Sequence, residues 1–269
     1  MDTPGMKQED AATGQITAAA ARVYEQFFVP ALFGQFAPWL VEAAGIRGGG
    51  RVLDVATGTG IVARAALARG ASVTGVDINE GMLTIAREKA PHASFQLAAA
   101  ESLPFEDNSF DAVTCQFALM FLADRGQALR EMARVCHPGG HLAVSVFDTW
   151  ENSPGYRDLV PLLGEIMGDA AAEAFKPPFS LGDPATLEKV LREGGLEDAQ
   201  IIHKTGQIRH ASMDAWLDTE IGGWTLASLA TPETMAALKA RAPEVLGQYR
   251  NSDGTISFEA PAFFAVAQV

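Results

Sequence analysis

The chain has 269 residues, of which 48% are apolar, so it can bury one sizeable core, either as one large domain or as a domain with a cap. Its formal net charge of −13 argues against nucleic acid or an anionic membrane as the main partner, because both are polyanions. The two cysteines, Cys115 and Cys136, have no CxxC spacing, which predicts neither a metal site nor a disulfide.

The first part of the chain predicts a short arm before a folded domain. Residues 1–14 are polar and lack the apolar segment of a signal peptide, so we expect a disordered arm in a cytoplasmic protein. The remainder, 15–269, is expected to form a single domain. It begins with N-terminal helices within 15–47, and Pro30 is expected to end the first of them, because proline interrupts helical hydrogen bonding.

Strands and helices then alternate along the chain. Short apolar runs separated by amphipathic helices are typical of βαβ units, which build a parallel sheet with helices on both faces. The longest apolar run is far too short to span a bilayer. The pattern predicts strands at 51–56, 72–77, 93–97, 110–116 and 140–147.

After Asp148 this alternation breaks. Two stretches, 149–182 and 211–250, contain helical fragments, and we interpret them as a helical cap or lid over the carboxyl edge of the sheet. Between them, 199–209 alternates enough to form a strand, and 255–269 has the pattern of a final strand.

The most informative stretch joins the first strand to the following helix. Gly58 and Gly60 form a turn at which a ligand can approach bare backbone, and the next helix presents free N–H groups to a negative ligand group. Asp77, at the end of the second strand, can accept two hydrogen bonds from a ribose diol. Together these features predict a nucleoside-containing cofactor.

The class of cofactor is indicated by Asp54. The pattern Gly58-x-Gly60-x-x-Ala63 is also compatible with a dinucleotide. However, the Asp54 carboxylate lies shortly before Gly58, where it would repel a dianionic pyrophosphate but suits an ammonium and a sulfonium group. S-adenosylmethionine carries both groups and is therefore favoured over NAD(P).

At this point the chain resembles a known family, the class I S-adenosylmethionine-dependent methyltransferases, and within it the ubiquinone/menaquinone-biosynthesis-like subgroup (methyltransferase type 11). The order and spacing of the matching segments agree with that family across about residues 20–148. Four blocks carry the resemblance: VLDVATGTG (52–60), VDINEGML (76–83), AESLPFEDNSFDAV (100–113) and EMARVCHPGGHL (131–142).

The resemblance implies a fold and an activity. The fold is α/β, a Rossmann-like seven-stranded sheet that is mostly parallel, with the last strand antiparallel and a helical cap. The activity is transfer of a methyl group from S-adenosylmethionine to a small, apolar or aromatic molecule. The acceptor and the atom that is methylated stay open, and we expect a monomer or homodimer.

The resemblance also assigns residues to the cofactor. Asp54 is expected at its amino end and Asp77 at the ribose, although either carboxylate could instead cap a helix. Met82 is expected at the adenine, with the core as the alternative. Gln116 is expected at the methionine portion or at the acceptor, unless it only orders a loop. The full set is Asp54, Ala56, Thr57, Gly58, Gly60, Asp77, Ile78, Met82, Ala100, Glu101 and Gln116.

Two positions depart from the family pattern. Ala56 stands where relatives usually have glycine, which is tolerable if its backbone keeps an ordinary conformation. Ala99 stands where relatives often have aspartate, so its side chain cannot bind the adenine amino group. Backbone groups of Ala100 and Glu101 are expected to read the adenine edge instead.

The acceptor pocket is expected between the N-terminal helices, the end of the fourth strand and the cap. Three of the four tryptophans lie in the cap segments, which favours an apolar or aromatic acceptor, although such side chains also commonly form a core. The expected pocket residues are Tyr24, Phe28, Phe117, Met120, Trp150, Tyr156, Trp216 and Trp224.

The sequence singles out no catalytic base. Asp148, Glu220, His203 and His210 are nearest the expected rim, and a surface or structural role would explain each of them. Two other functions stay open at this stage. One is an NAD(P)-dependent oxidoreductase, which the lack of a Tyr-x-x-x-Lys signature disfavours. The other is a non-catalytic protein that binds S-adenosylmethionine.

Overall fold

The computed structural model describes residues 17–222, 226 and 229–269. The expected arm, 1–14, and Trp224 lie outside these residues. Seven strands form one sheet. In chain order they are β1 (Arg51–Val55), β2 (Ser72–Asp77), β3 (Ser94–Leu97), β4 (Phe110–Gln116), β5 (Cys136–Phe147), β6 (Gln200–His210) and β7 (Ile256–Gln268).

The strand order in the sheet is β3-β2-β1-β4-β5-β7-β6. The first five of these strands pair in parallel, whereas β7 pairs antiparallel with both β5 and β6. The predicted fold, a mostly parallel seven-stranded sheet with an antiparallel last strand, is confirmed. Because only β7 is reversed, the other strands end at one carboxyl edge, where ligands bind in open α/β sheets.

Helices cover the sheet in three groups. The N-terminal group contains α1 (Ala18–Val23), a π-helical segment (Tyr24–Phe28), α2 (Val29–Ala31), a 3-10 turn (Phe33–Gln35) and α3 (Phe36–Ala43). The sheet connections contain α4 (Ile61–Ala68), α5 (Glu80–Lys89) and α6 (Arg125–Val135). After β5 come α7 (Pro154–Met167), α8 (Asp169–Phe175), α9 (Pro184–Glu193), α10 (Met213–Gly222) and α11 (Pro232–Val245). We call α7, α8, the 3-10 turn Pro177–Phe179, α10 and α11 the cap.

The N-terminal helical segment continues through Pro30. The π-helical segment leads directly into α2, and Pro30 occupies the first turn of α2, where a missing N–H is tolerated. The expectation that Pro30 ends the first helix is therefore wrong. As a consequence, one uninterrupted helical segment carries Tyr24 and Glu25 over the carboxyl edge of the sheet.

Close backbone packing joins the cap to the end of β5. Gly155 in α7 lies against the ring of Phe258 in β7. Gly182, just after the turn Pro177–Phe179, lies against the backbone of Asp148, and a Cβ atom there would be 2.3 Å from the Asp148 carbonyl carbon. Only glycine permits this approach, which holds the cap against the sheet.

An aromatic cluster packs the N-terminal helices against the sheet. Phe36 is fully buried, and its ring centroid lies 5.0 Å from that of Phe117, 5.5 Å from Trp39 and 6.2 Å from Phe264. Because Phe117 follows β4 and Phe264 belongs to β7, this one ring packs α3 against two separate strands.

The turn after β1 has a strained backbone. Gly58 and Gly60 have φ angles of +55° and +80°, and Ala56 also has a positive φ of +53°. A left-handed conformation costs a residue with a Cβ atom about 1–2 kcal/mol. Ala56 therefore does not meet the condition of an ordinary backbone conformation, and its methyl group is tolerated at the expense of strain.

We expect Ala56→Gly to raise the free energy of unfolding by about 0.5–1 kcal/mol, because relief of left-handed strain exceeds the added freedom of the unfolded chain. The matched control is Ala65→Gly inside α4, which should lower it by about 1 kcal/mol. Chemical denaturation measures both changes. Destabilisation of similar size by the two substitutions would contradict the strain at Ala56.

Phe36→Ala should lower the free energy of unfolding by about 3–5 kcal/mol, because it leaves a cavity between α3 and the sheet. Phe27→Ala is the matched control, since Phe27 lies in the same helical group but is 48% exposed, and its effect should stay within about 0.5 kcal/mol. Denaturant titration of both variants checks this difference. Similar losses would show that the packing of Phe36 against the sheet does not stabilise the fold more than an exposed ring does.

Candidate active site

A hydrogen-bonded turn at the carboxyl ends of β1 and β2 forms the centre of the site. The N–H of Thr57 donates to the carbonyl oxygen of Val76 at 2.9 Å, and the N–H of Gly58 donates to Asp77 Oδ2 at 2.8 Å. None of the described residues would lie within 4 Å of a Cβ atom placed on Gly58. A ligand can therefore approach the Gly58 backbone directly.

Asp77 joins this turn to the start of the next helix. Its Oδ1 accepts a hydrogen bond from the N–H of Asn79 at 2.9 Å, and burial raises the pKa of its carboxyl group. The N-cap residue of α5 is Asn79, whose Oδ1 accepts a hydrogen bond from the N–H of Met82 at 3.0 Å. Asp77 is thus not the N-cap residue of α5. A carboxylate has about four acceptor sites, so Asp77 can accept further hydroxyl donors.

Asp54 lies beneath the turn and is 1% exposed. Its oxygens accept hydrogen bonds from Thr57 Oγ1 at 2.5 Å and from Thr114 Oγ1 at 3.0 Å, and it also interacts with the backbone of Ala63 in α4. Burial raises the pKa of Asp54 to about 6, against the opposing effect of these hydrogen bonds. Asp54 therefore supports the turn and the beginning of α4.

The N-terminal segment closes over the turn. Glu25 accepts a hydrogen bond from Thr59 Oγ1 at 2.5 Å and forms an ion pair with Arg64 at 3.0 Å. The neighbouring Tyr24 stacks on Phe33 at 5.4 Å between ring centroids, and burial raises the pKa of its hydroxyl group. Glu25 and Thr59 were not among the expected site residues, because no local pattern signals a contact between residues 34 positions apart.

The residues expected at the adenine lie beside the end of β2. Ile78 is 45% exposed, so it offers an apolar surface to a ligand, while Met82 is half-buried and Ala100 is buried. The carboxylate of Glu101 accepts a hydrogen bond from the N–H of Ala123 at 3.2 Å. This contact occupies the Glu101 side chain in the loop before α6, and the Glu101 carbonyl oxygen accepts from Gln127 Nε2 at 3.4 Å, so the role expected from the sequence falls to the backbone N–H.

Gln116 ends β4 with one half of its amide group bonded. Its Nε2 donates to the carbonyl oxygen of Phe33 at 3.3 Å, whereas its Oε1 is buried and has no hydrogen-bond partner in the described part of the chain. The hydroxyl group of Ser145, the strand partner of Gln116, is also buried without a hydrogen-bond partner in the described residues. Because a buried acceptor without a donor is costly, Gln116 Oε1 is a natural position for a ligand donor.

An apolar cavity lies next to these strand ends, between the N-terminal segment, β5 and the cap. Two of the predicted pocket residues, Phe28 and Tyr156, line it, and a third, Phe117, stacks on the lining residue Phe147 at 4.1 Å between ring centroids. Its free volume is about 30 Å³, which is too small for an aromatic ring in this conformation. The rings in its wall are Phe28, Phe33, Phe147, Tyr156, Phe175 and Phe179.

Other predicted pocket residues lie away from this cavity. Trp216 is fully buried, and its ring packs on that of Phe258 at 4.7 Å between centroids. Trp150 has the Lys176 ammonium 5.4 Å from its ring centroid, and Met120 is buried in the 3-10 turn after β4. These three side chains pack against neighbouring elements, and none of them lines the cavity. Trp224 lies outside the described residues.

One carboxyl group lies in the mostly apolar wall. Glu220 in α10 is 7% exposed, and its Oε1 accepts a hydrogen bond from the Tyr156 hydroxyl at 2.9 Å. Burial raises the pKa of Glu220 to about 7, while the Tyr156 hydrogen bond opposes the rise. His210 Nε2 is 3.9 Å from Glu220 Oε1, and burial lowers the pKa of His210 to about 4. His203 and Asp148 form a separate pair at 2.9 Å.

Over residues 17–222, 226 and 229–269, no cluster of three His, Cys, Asp or Glu side chains could hold a metal ion. In the same residues no helix has both the length and the apolar character needed to cross a membrane.

Cys115 and Cys136 are buried free thiols, and burial raises the pKa of Cys115 to about 12 and that of Cys136 to about 11. Both thiols therefore stay protonated at neutral pH.

The chain is similar to known methyltransferases. A family described as "Methyltransferase domain" matches residues 53–144. The ubiquinone/menaquinone biosynthesis C-methyltransferase UbiE of Cronobacter sakazakii is 31% identical over 228 residues, which cover 77% of this chain and 91% of that protein. The protein of the same name from Geobacter sulfurreducens is 36% identical over 157 residues, which cover 52% of this chain and 61% of that protein.

A solved structure has the same architecture. Phosphoethanolamine N-methyltransferase 2 of Haemonchus contortus, in complex with S-adenosyl-L-methionine, superimposes with a TM-score of 0.57 at 19% identity and covers 94% of this chain and 57% of that one. At this identity the likeness concerns the fold. On the strength of the Cronobacter relative, the chain belongs to the class I S-adenosylmethionine-dependent methyltransferases of the ubiquinone/menaquinone C-methyltransferase type.

Proposed function

We propose that this enzyme transfers the methyl group of S-adenosylmethionine to a carbon atom of a small hydroxylated aromatic ring. The observation that carries the proposal is the cavity beside β5, whose wall combines six aromatic rings with one carboxyl group. Aromatic walls favour a flat apolar ligand, and a buried carboxyl group favours one with a hydrogen-bond donor. The two relatives are named as C-methyltransferases, which supports carbon as the acceptor atom.

We assign the cofactor to the turn after β1. Gly58 leaves room for close approach, Asp77 offers acceptor sites to ribose hydroxyls, and the exposed Ile78 offers an apolar surface to the adenine. The unpartnered Oε1 of Gln116 suits a donor on the methionine portion or on the acceptor. These groups fit S-adenosylmethionine. The remaining members of the proposed cofactor site are Asp54, Ala56, Thr57, Gly60, Met82, Ala100 and Glu101.

In this proposal Asp54 acts through its charge. Its oxygens are engaged by Thr57 and Thr114, so the cofactor need not touch them. With a pKa of about 6 the carboxyl group is mostly ionised at neutral pH. A negative charge beneath the turn favours a sulfonium and an ammonium over a pyrophosphate, which supports the choice between the two cofactor classes.

The chain's own residues position the reactants and exclude water. Bound S-adenosylmethionine supplies a methyl group on a positively charged sulfur, which keeps the bonding electrons when the methyl group leaves. Glu25 closes the N-terminal segment over the turn, and the cap covers the aromatic cavity. Since the cavity holds about 30 Å³, the cap has to move outward to admit a ring and then close again, as active-site lids do.

Asp77→Asn should weaken binding of S-adenosylhomocysteine at least about tenfold, because hydrogen bonds to a charged acceptor are worth about 1.5–3 kcal/mol and the amide is neutral. Isothermal titration calorimetry measures the affinity. The melting temperature without ligand reports separately on the bond from Gly58 to this side chain.

Asp111→Asn is the control for this change, because Asp111 is an exposed acid on β4 that pairs with Arg51. Its effect on the same affinity should stay within about twofold. If Asp77→Asn also stays within that range, Asp77 only holds the turn, and the ribose assignment is wrong.

The enzyme should methylate the ring carbon of at least one member of a set of small hydroquinones. S-adenosylmethionine with a deuterated methyl group allows mass spectrometry to detect the transfer, and NMR of the product distinguishes a carbon-bound from an oxygen-bound methyl group. Methylation only at oxygen, or only of amines included in the same set, would contradict the proposal.

A variant of the cavity wall connects this activity to the proposed pocket. Phe179→Ala should lower kcat/KM for that hydroquinone at least about tenfold, while the Kd for S-adenosylhomocysteine stays within about threefold. Phe27→Ala removes a ring that is 48% exposed and should change neither value by more than about twofold. Equal effects of the two substitutions would place the acceptor elsewhere.

A further inference from the structure

A buried carboxyl–phenol pair lies in the wall of the aromatic cavity. Glu220 is 7% and Tyr156 4% exposed, and both line the cavity. The Tyr156 hydroxyl donates to Glu220 Oε1 at 2.9 Å. Within the described residues no other side chain donates a hydrogen bond to Glu220. Among the described residues this leaves Glu220 Oε2 without a side-chain donor, so it can accept a hydrogen bond from a ligand in the cavity.

No cation of the described chain neutralises this carboxyl group. The ion pairs of residues 17–222, 226 and 229–269 include none between Glu220 and a lysine or arginine. The nearest basic group is His210 Nε2 at 3.9 Å, and burial keeps that imidazole neutral at pH 7. Burying an acid without a cation is unfavourable for folding, and an apolar side chain would pack in such a wall at lower cost.

The two sides of the cavity differ in a way that suits one class of ligand. The rings of Phe147 and Phe179, whose centroids are 5.7 Å apart, offer apolar surface to a flat molecule. Glu220 offers an acceptor for a donor at one edge of that molecule. A hydroxylated aromatic ring presents both features, because its faces are apolar and its hydroxyl group lies in the ring plane.

We propose that Glu220 binds the hydroxyl group of the acceptor ring and takes its proton, and that Tyr156 is a positioning residue that holds the Glu220 carboxylate in place. This inference rests on the proposed function, and it adds the residue that binds and deprotonates the hydroxyl group of the acceptor. It assigns a base to a reaction for which the sequence singled out none.

The proton step makes the ring carbon nucleophilic. The O–H bond of the acceptor breaks, its proton forms an O–H bond with the Glu220 carboxylate, and the electron pair stays on the ring oxygen. The resulting phenolate charge spreads to ring carbons, which can then form the new C–C bond. That carbon afterwards releases its own proton to solvent, and the ring oxygen recovers a proton from Glu220. A base with a pKa of about 7 is suited to this exchange near neutral pH.

The other acid–histidine pair near the sheet edge does not compete for this role. His203 and Asp148 interact at 2.9 Å, but the His203 side chain is 49% exposed, and neither residue lines the cavity. Asp148 is buried, and its Oδ1 accepts hydrogen bonds from the Thr149 N–H and Asn152 Nδ2, so this pair orders the loop after β5, outside the cavity.

A binding experiment tests the assignment without turnover. The probes are 1-naphthol and 1-methoxynaphthalene, which share one ring system and differ in the hydroxyl proton, and calorimetry measures their Kd in the presence of S-adenosylhomocysteine. The wild-type protein should bind the naphthol at least about tenfold more tightly. Glu220→Met should reduce this preference to about one, and Glu220→Gln, which keeps an acceptor oxygen, to about threefold.

Asp218→Asn is the matched control, because Asp218 lies on the same helix but is 55% exposed and pairs with Lys239. It should leave the preference for the naphthol unchanged. Melting temperatures show whether each variant is folded. If Glu220→Met does not fold, Glu220→Gln decides the question, since amide and carboxyl groups have nearly the same shape.

Turnover supplies a second measurement once a hydroquinone acceptor is available. Glu220→Gln should lower kcat at least about tenfold with KM within about threefold, because the amide can bind the hydroxyl group but cannot take its proton. Tyr156→Phe should lower kcat less, because the base remains and only its positioning partner is lost. Fully retained kcat in Glu220→Gln would overturn the role of Glu220 as base.

Other outcomes separate this inference from the proposed function. Equal binding of the two probes, no binding of either, or a preference that survives Glu220→Met would overturn the inference. So would 1-naphthylmethylamine binding more tightly than the naphthol through Glu220, which would identify an ammonium ligand. Failure of ring-carbon methylation with an intact, Glu220-dependent naphthol preference would overturn only the proposed carbon methylation.

Discussion

The hydrogen bond from the Gly58 N–H to the Asp77 carboxylate ties together the ends of two parallel strands, and the rest of the site is arranged around it. The turn can lie this close to β2 because Gly75 has no side chain. A Cβ atom there would be 2.6 Å from the Phe95 ring and 2.9 Å from Thr57 Oγ1. The left-handed conformation of Ala56 is a second consequence of the same tight geometry. Close backbone packing is thus what exposes Gly58 to a ligand.

Buried negative charge is the electrostatic counterpart of this geometry. Asp54 and Asp77 both have a raised pKa because burial disfavours their charged forms. The negative charge of Asp77 raises the pKa of Asp54 further. Two carboxyl groups in one small region destabilise each other when ionised. A cofactor that brings a sulfonium and an ammonium relieves this repulsion, whereas a phosphate-bearing one would add to it. The acids therefore contribute to selection even where hydrogen bonds within the protein already engage their oxygens.

A series of packed rings connects the end of β4 with the cap. Phe117 follows β4 in a left-handed conformation, φ +49°, and stacks on Phe147, which is 5.7 Å from Phe179. The Tyr156 ring is 5.3 Å from Phe179 and leads to Glu220. Strained backbone commonly marks functional sites, and here it turns the Phe117 ring into this series. Movement of the cap would therefore shift the packing of Phe117 at the end of β4.

Apolar runs, glycines and strand-end carboxylates are local signals, and for this reason the strands, the glycine turn and the acid at the end of β2 could be predicted from the order of the amino acids. It did not reveal that Glu25 reaches Thr59, that Trp216 belongs to the core, or that Glu220 lies in the cavity wall beside Tyr156. Glu220 and Tyr156 are 64 positions apart, and whether an acid on a helix faces water or an apolar cavity depends on what packs against that helix. Only the tertiary structure decides this, because burial is a property of the assembled fold.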